Sequence, residues 1–117
     1  MVANIQGWDY VRRMEIFKHK GRICVVMEYV SFGGSYCNGY VQTLAKNYGK
    51  DYNKFVSRIE TDELTYAGNL GGLFDGIWFF GFDSAHLWND EVPESKTFES
   101  VKERTKKLAE EMVAKRI

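Results

Sequence analysis

The sequence is short of the residues that most often announce a function. Two histidines and two cysteines are the whole supply of imidazole and thiolate metal ligands in 117 residues. Neither Cys24 nor Cys37 lies in a C-x-x-C or Cys/His spacing, so a structural zinc site has no support. Reduced thiols are the default. Cys24 lies in an apolar run and reads as core, whereas Cys37, close to Gly34, Asn38 and Gly39, reads as the more exposed. No apolar run approaches the roughly 18 residues of a membrane span, and Met1 to Gly7 has no basic segment followed by an apolar stretch. The expectation is a cytoplasmic protein without a membrane partner. Also missing are a G-x-S-x-G elbow, the G-x-G-x-x-G and P-loop patterns and a Ca²⁺ loop. Gly68-Asn69-Leu70-Gly71-Gly72 therefore reads as a turn, and no cofactor is expected.

Net charge is absent too, but unevenly so. Met1 to Glu60 holds nine basic and five acidic residues, Thr61 to Ser95 seven acidic and no basic ones, and Lys96 to Ile117 seven basic and four acidic. An acidic middle between basic flanks argues against broad nucleic-acid binding, which needs a basic face. It also predicts that the segments neutralise one another in the fold.

What is present is enough apolar and aromatic residue for one core, 44% and 15% of the chain, and hence for a single domain over 1–117. Tyr10 to Lys18 alternates, with Tyr10, Met14 and Ile16 on one parity and Arg13 and Glu15 on the other. Arg22 to Ser31 is a more buried run, and His19-Lys20-Gly21 supplies the turn of a β-hairpin between them. Tyr36 to Leu44 reads as a third strand. Tyr48 to Tyr52 opens a turn into a short helical piece carrying Phe55, Val56 and Ile59. Leu64 to Ala67, a wide glycine loop and the very apolar Ile77 to Phe82 add two more strands. Phe98, Val101, Thr105, Leu108 and Met112 recur at spacings of three and four, so a helix follows Pro93, capped by Ser95 or Thr97. The fold class is α+β: a mainly antiparallel sheet of about five strands over 10–84, a loop over 85–95, and one long C-terminal helix over 96–117. The helical stripe either packs on the sheet or forms a coiled-coil seam, so a homo-oligomer is left open.

The sharpest polar cluster follows the most apolar strand: Asp83, Ser84, His86, Trp88, Asn89, Asp90 and Glu91. Asp83 could orient His86 as a base with Ser84 as nucleophile, although neighbours on an extended chain point opposite ways. In the plainer reading Asp83 caps the turn and His86 makes a structural hydrogen bond, the two organising the loop that presents Trp88. Asp83, His86 and Asp90 have suitable donors for a metal but only one histidine, and no metal is expected. Tyr40, Tyr66 and Trp88 are the candidates to stack on a ligand base, with Lys50, Arg58 or Arg104 meeting phosphate.

Gly39-Tyr40-Val41, Tyr48-Gly49-Lys50-Asp51-Tyr52, Leu64-Thr65-Tyr66-Ala67-Gly68 and Trp78-Phe79-Phe80-Gly81-Phe82-Asp83-Ser84-Ala85-His86 together resemble a family of small proteins encoded by bacteriophages and mobile elements. The resemblance runs from Gly39 to the terminal helix. Two departures stand out: the family carries Cys where this chain has Ser84, and His-Gly-Gly where it has Thr61-Asp62-Glu63. What the resemblance implies is a phage-type accessory protein acting in the host cytoplasm. Such proteins often block a host component or sequester a nucleotide signal used in defence. The expectation is thus a non-catalytic binding protein; the alternatives are a small hydrolase or metal-assisted enzyme using Asp83 and His86, and an interaction module using the terminal helix.

Overall fold

Lys20 and Gly21 both have positive φ, 53° and 78°, the pair of left-handed residues that a two-residue type I′ hairpin turn requires. The turn joins β1 (Tyr10–His19) to β2 (Arg22–Ser31) with His19 opposite Arg22. The computed structural model describes residues 10–31, 34–71, 74–84 and 93–117. Within them, β3 (Gly34–Gln42), β4 (Tyr66–Gly68) and β5 (Phe79–Asp83) complete an antiparallel sheet of order β1-β2-β3-β5-β4. One α-helix, α1 (Phe98–Ala114), packs across β2 and β3. The architecture is the α+β arrangement expected.

Boundaries moved where long-range pairing outweighs local composition. The fifth strand starts at Phe79, not Ile77, and extends to Asp83, which pairs with Asn38 of β3. The short helical piece is two 3₁₀ turns, Tyr52–Lys54 and Val56–Arg58, which bury Phe55 and Ile59 and leave Val56 outside. Thr97, not Ser95, caps α1: its hydroxyl accepts from the Ser100 N–H at 3.1 Å, while Ser95 is buried in a preceding 3₁₀ turn, Pro93–Lys96.

The helical stripe is core. Phe98, Val101, Thr105, Leu108 and Met112 are all buried, with Ala109 beside them, against Val26, Cys37, Val41, Phe80 and Phe82 on one face of the sheet. This removes the coiled-coil seam as a use for these residues, and it also corrects the reading of Cys37, which is buried under the helix. Burial pushes both the Cys24 and the Cys37 thiol up to about 11. Polar contacts also join the layers: Lys102 meets Glu15 at 2.6 Å, His19 Nε2 lies 2.7 Å from the Glu110 carboxylate, and Arg104 meets Asp62 at 3.0 Å. The last of these links the basic tail to the acidic middle.

The parity of β1 is the reverse of what an amphipathic strand over a core suggests. Register places Glu15 beside Val26 and Phe17 beside Cys24, on the helix side, and Met14 beside Met27 and Ile16 beside Val25, on the other. A bulge between Val11 and Arg13 shifts the phase, so Tyr10 no longer shares a face with Met14 and Ile16. Both arginines of the bulge then serve the helix side: Arg12 binds Glu28 through two nitrogens at 3.0 and 3.2 Å, and Arg13 lies 3.8 Å over the Phe98 ring.

Candidate functional site

The sheet face away from α1 carries a second cluster built on Val25, Met27, Tyr29, Tyr40 and Phe79. Alternation along β3 sends Cys37, Gly39 and Val41 to the helix, and so sends Tyr36, Asn38 and Tyr40 here. Cross-strand register then sets Tyr29 opposite Tyr36, Met27 and Asp83 on either side of Asn38, and Gly81 between Tyr40 and Tyr66. Gly81 is required for this: a Cβ there would sit 2.5 Å from the Tyr40 ring, a separation no packed side chain tolerates. The bare backbone lets Tyr40 and Tyr66 meet edge to face, ring centroids 5.2 Å apart. Tyr29 and Tyr36 stack at the same separation, 5.2 Å, on the other side of Asn38.

Between the two tyrosine pairs runs a hydrogen-bond chain with a direction. Asn38 Nδ2 donates to the Tyr40 hydroxyl at 3.1 Å, the Tyr40 and Tyr29 hydroxyls are 2.9 Å apart, and the Tyr29 hydroxyl donates to Met27 Sδ at 3.4 Å. With the Tyr29 proton given to Met27, the Tyr40 proton goes to Tyr29 and both are directed away from Asn38; the Tyr29–Tyr40 contact by itself admits either donor. Burial raises the Tyr40 phenol well above its ordinary value and raises the Tyr29 phenol as well, so both protons stay in place at neutral pH. At the head of the chain Asn38 Oδ1 is buried and has no hydrogen-bond partner. Turning the amide over would only exchange which of its two atoms is left unmatched. A buried polar atom without a partner costs about 1–3 kcal/mol.

Asp83 closes the row beside Asn38. Its carboxylate accepts from the Thr65 hydroxyl at 3.0 Å. Ser84 follows, but its hydroxyl is fully buried and accepts from the Cys37 N–H at 2.9 Å, while the Ser84 N–H donates to the Cys37 carbonyl at 3.0 Å. Ser84 therefore finishes the β3–β5 pairing and presents no nucleophile. His86 and Trp88 lie outside the described residues, and so does most of the loop expected over 85–95; its last residues, Pro93 to Ser95, belong to the 3₁₀ turn before α1.

The chain matches no family model, no curated protein and no solved structure.

Of the residues singled out in the sequence, Tyr40 and Tyr66 come together, but Tyr40 is 4% exposed and has no open face on which a base could stack. The half-buried Tyr36 and Tyr66 are the rings at the surface of the site. The three cations are not brought to it. Arg104 donates to Asp62 and to the Ser95 carbonyl and lies 5.3 Å over Phe82, which faces the helix. Arg58 donates to the Lys115 carbonyl at the end of α1. Lys50 is exposed in a loop whose carbonyl accepts from Trp78 Nε1. Asn38 and Tyr29 were missed in the sequence. Asn is disfavoured within strands, and its place between Cys37 and Gly39 was the available signal. Among the described residues no group of three or more His, Cys, Asp or Glu could hold a metal, and no helix is long and apolar enough to cross a membrane.

Proposed function

We propose that this chain is a small non-catalytic binding protein of the phage accessory type, acting in the host cytoplasm, and that its ligand seats on the sheet face around Asn38. The observation that carries the reading is the unmatched Asn38 Oδ1 at the head of a hydroxyl chain that points away from it. A fold seldom keeps such an atom, because replacing it with a carbon group relieves the penalty. A ligand that brings an N–H donor satisfies it once the half-buried Asn38 side chain shifts to bring the atom to the surface. The amino edge of a nucleobase is such a donor, and Tyr36 and Tyr66 flank the position with aromatic surface. A nucleotide signal used in host defence fits this chemistry through its base. Its phosphate would remain outside the tyrosine face, since Arg58 and Arg104 are engaged on the helix side.

A serine nucleophile loses support because the Ser84 hydroxyl is committed to the backbone; the alternative that uses Asp83 and His86 is not decided by this, since His86 lies outside the described residues. The helix-module alternative loses support because the apolar stripe of α1 is core. Calorimetric titration with a panel of cyclic nucleotides tests the proposal. Heat is expected from a member with an exocyclic amino group and should be lost in Asn38→Leu. No heat from any member removes the nucleotide reading, and binding that survives in Asn38→Leu removes this site.

A further inference from the structure

β1 is an edge strand of ten residues, and no strand among the described residues pairs with its outer side. Which of its backbone groups are left over follows from the hairpin. In a two-residue turn the flanking residues, His19 and Arg22, exchange both hydrogen bonds. Alternation then directs the N–H and C=O of His19, Phe17 and Glu15 to β2, and those of Lys18, Ile16 and Met14 outward. The outward residues are the ones whose side chains stand on the face without the helix. Ile16 is 49% and Met14 44% exposed there, although their β2 neighbours Val25 and Met27 are buried. The apolar surface of that face therefore continues to the rim of the sheet and stops at an open row of donors and acceptors. Natural edges are usually blunted by charge or a bulge. Here the bulge lies upstream, at Val11 to Arg13, and leaves Met14 to His19 regular.

We infer that this edge pairs with a second copy of itself, antiparallel, about a two-fold axis through Ile16. Charge and register select that alignment. Outward-facing residues must meet outward-facing ones, so the axis can fall at Met14, Glu15, Ile16 or Phe17; at Phe17 it sets Ile16 against the charged Lys18 and leaves Met14 opposite Lys20 of the turn, outside the ladder. An axis at Glu15 sets Glu15 against its own copy and Arg12 against Lys18, both like-charge contacts. An axis at Met14 draws the bulged Arg12 into the ladder, where its backbone phase is wrong. The axis at Ile16 places Ile16 on Ile16, Met14 beside Lys18, whose aliphatic stem can cover it, and Glu15 beside Phe17. It uses only the regular stretch. The product is one continuous sheet across both protomers, a self-complementary interface of the kind closed dimers need. It leaves the Asn38 site on each protomer untouched, so it stands apart from the ligand reading.

Sedimentation of the full chain tests this. The wild type should be a dimer, and both Ile16→Pro and Ile16→Lys should weaken dimerisation by at least roughly tenfold, or about 1.4 kcal/mol. Proline at this place removes an outward N–H and spares the ladder to β2. If Ile16→Pro fails to fold, judged by circular dichroism, Ile16→Lys decides. Val113→Lys, at an exposed apolar position on α1, should leave the dimer unchanged. A monomeric wild type, a dimer that survives either folded Ile16 variant, or equal loss in Val113→Lys overturns the inference. The last two outcomes would assign the contact to another surface or to a different partner copy arrangement.

Discussion

The Thr105 hydroxyl of α1 occupies the space that a Cβ on Gly39 of β3 would need, with the Phe82 ring closing the other side. The hydroxyl is satisfied within its own helix, donating to the Val101 carbonyl at 2.7 Å, so it can lie on an apolar sheet. The helix thus rests directly on bare backbone. Gly39→Ala should lift α1 from the sheet and destabilise the fold by about 2–3 kcal/mol, read as a lower urea midpoint at unchanged slope. Thr105→Ala in the same background should restore part of the loss.

Ser84→Ala tests whether Ser84 is structural. The change would leave the Cys37 N–H buried without its acceptor and should cost about 1–3 kcal/mol. Urea unfolding measures this directly. A stability equal to that of the wild type would mean that the hydroxyl had not been holding β5 to β3.

The acid limb of stability should depend on Glu111. Burial by itself would raise this carboxyl, but donors from Lys115, the Thr61 hydroxyl and the N–H groups of Glu60 and Thr61 bring it down to about 2 from 4.5. A depressed carboxyl stabilises the fold above its unfolded value and loses that contribution as pH falls from about 4.5 towards about 2. Thermal melts between pH 7 and pH 2 should show this loss, and Glu111→Gln should be less stable at neutral pH with a flatter acid limb.

Both thiols should be inert in the folded protein. With values near 11, only about one in a thousand is ionised at pH 8, and it is the thiolate that reacts. Labelling with a thiol reagent should therefore require unfolding, and should accelerate with denaturant in step with the fraction unfolded. Rapid native labelling of either cysteine would contradict the burial of the layer beneath α1.

Asn38→Leu should separate stability from binding. The leucine forfeits one hydrogen bond to Tyr40 and removes the unmatched Oδ1, so the net change should lie within about 1 kcal/mol of zero. Denaturant unfolding measures that part, and the nucleotide titration measures the other. A large destabilisation would mean that the amide serves the fold.

Periodicity made much of this architecture legible. The Lys20-Gly21 turn, the presence of a strand on either side of it and the three-and-four spacing of α1 are local signals, and they hold. What was not legible depends on partners distant in the chain. Nothing in Tyr10 to Lys18 says which parity the helix will cover; that is set by Glu15 and His19 finding Lys102 and Glu110. Asp83 was read as lying beyond the strand because composition changes there, yet pairing with Asn38 keeps it inside. Asn38 itself gains meaning only once the Tyr29 and Tyr40 hydroxyls are placed beside it by register.

The strand order also constrains how the chain can reach this state. β1, β2 and β3 are sequence neighbours and can form as a meander, whereas β5 must add to β3 across the span from Gln42 to Phe79. Closing that span costs entropy before its contacts repay it. Amides of the β1–β2 hairpin should therefore gain protection from hydrogen exchange before those of β5, and the tyrosine face, which needs β5 to set Asp83 and Gly81, should be among the last parts of the molecule to exist.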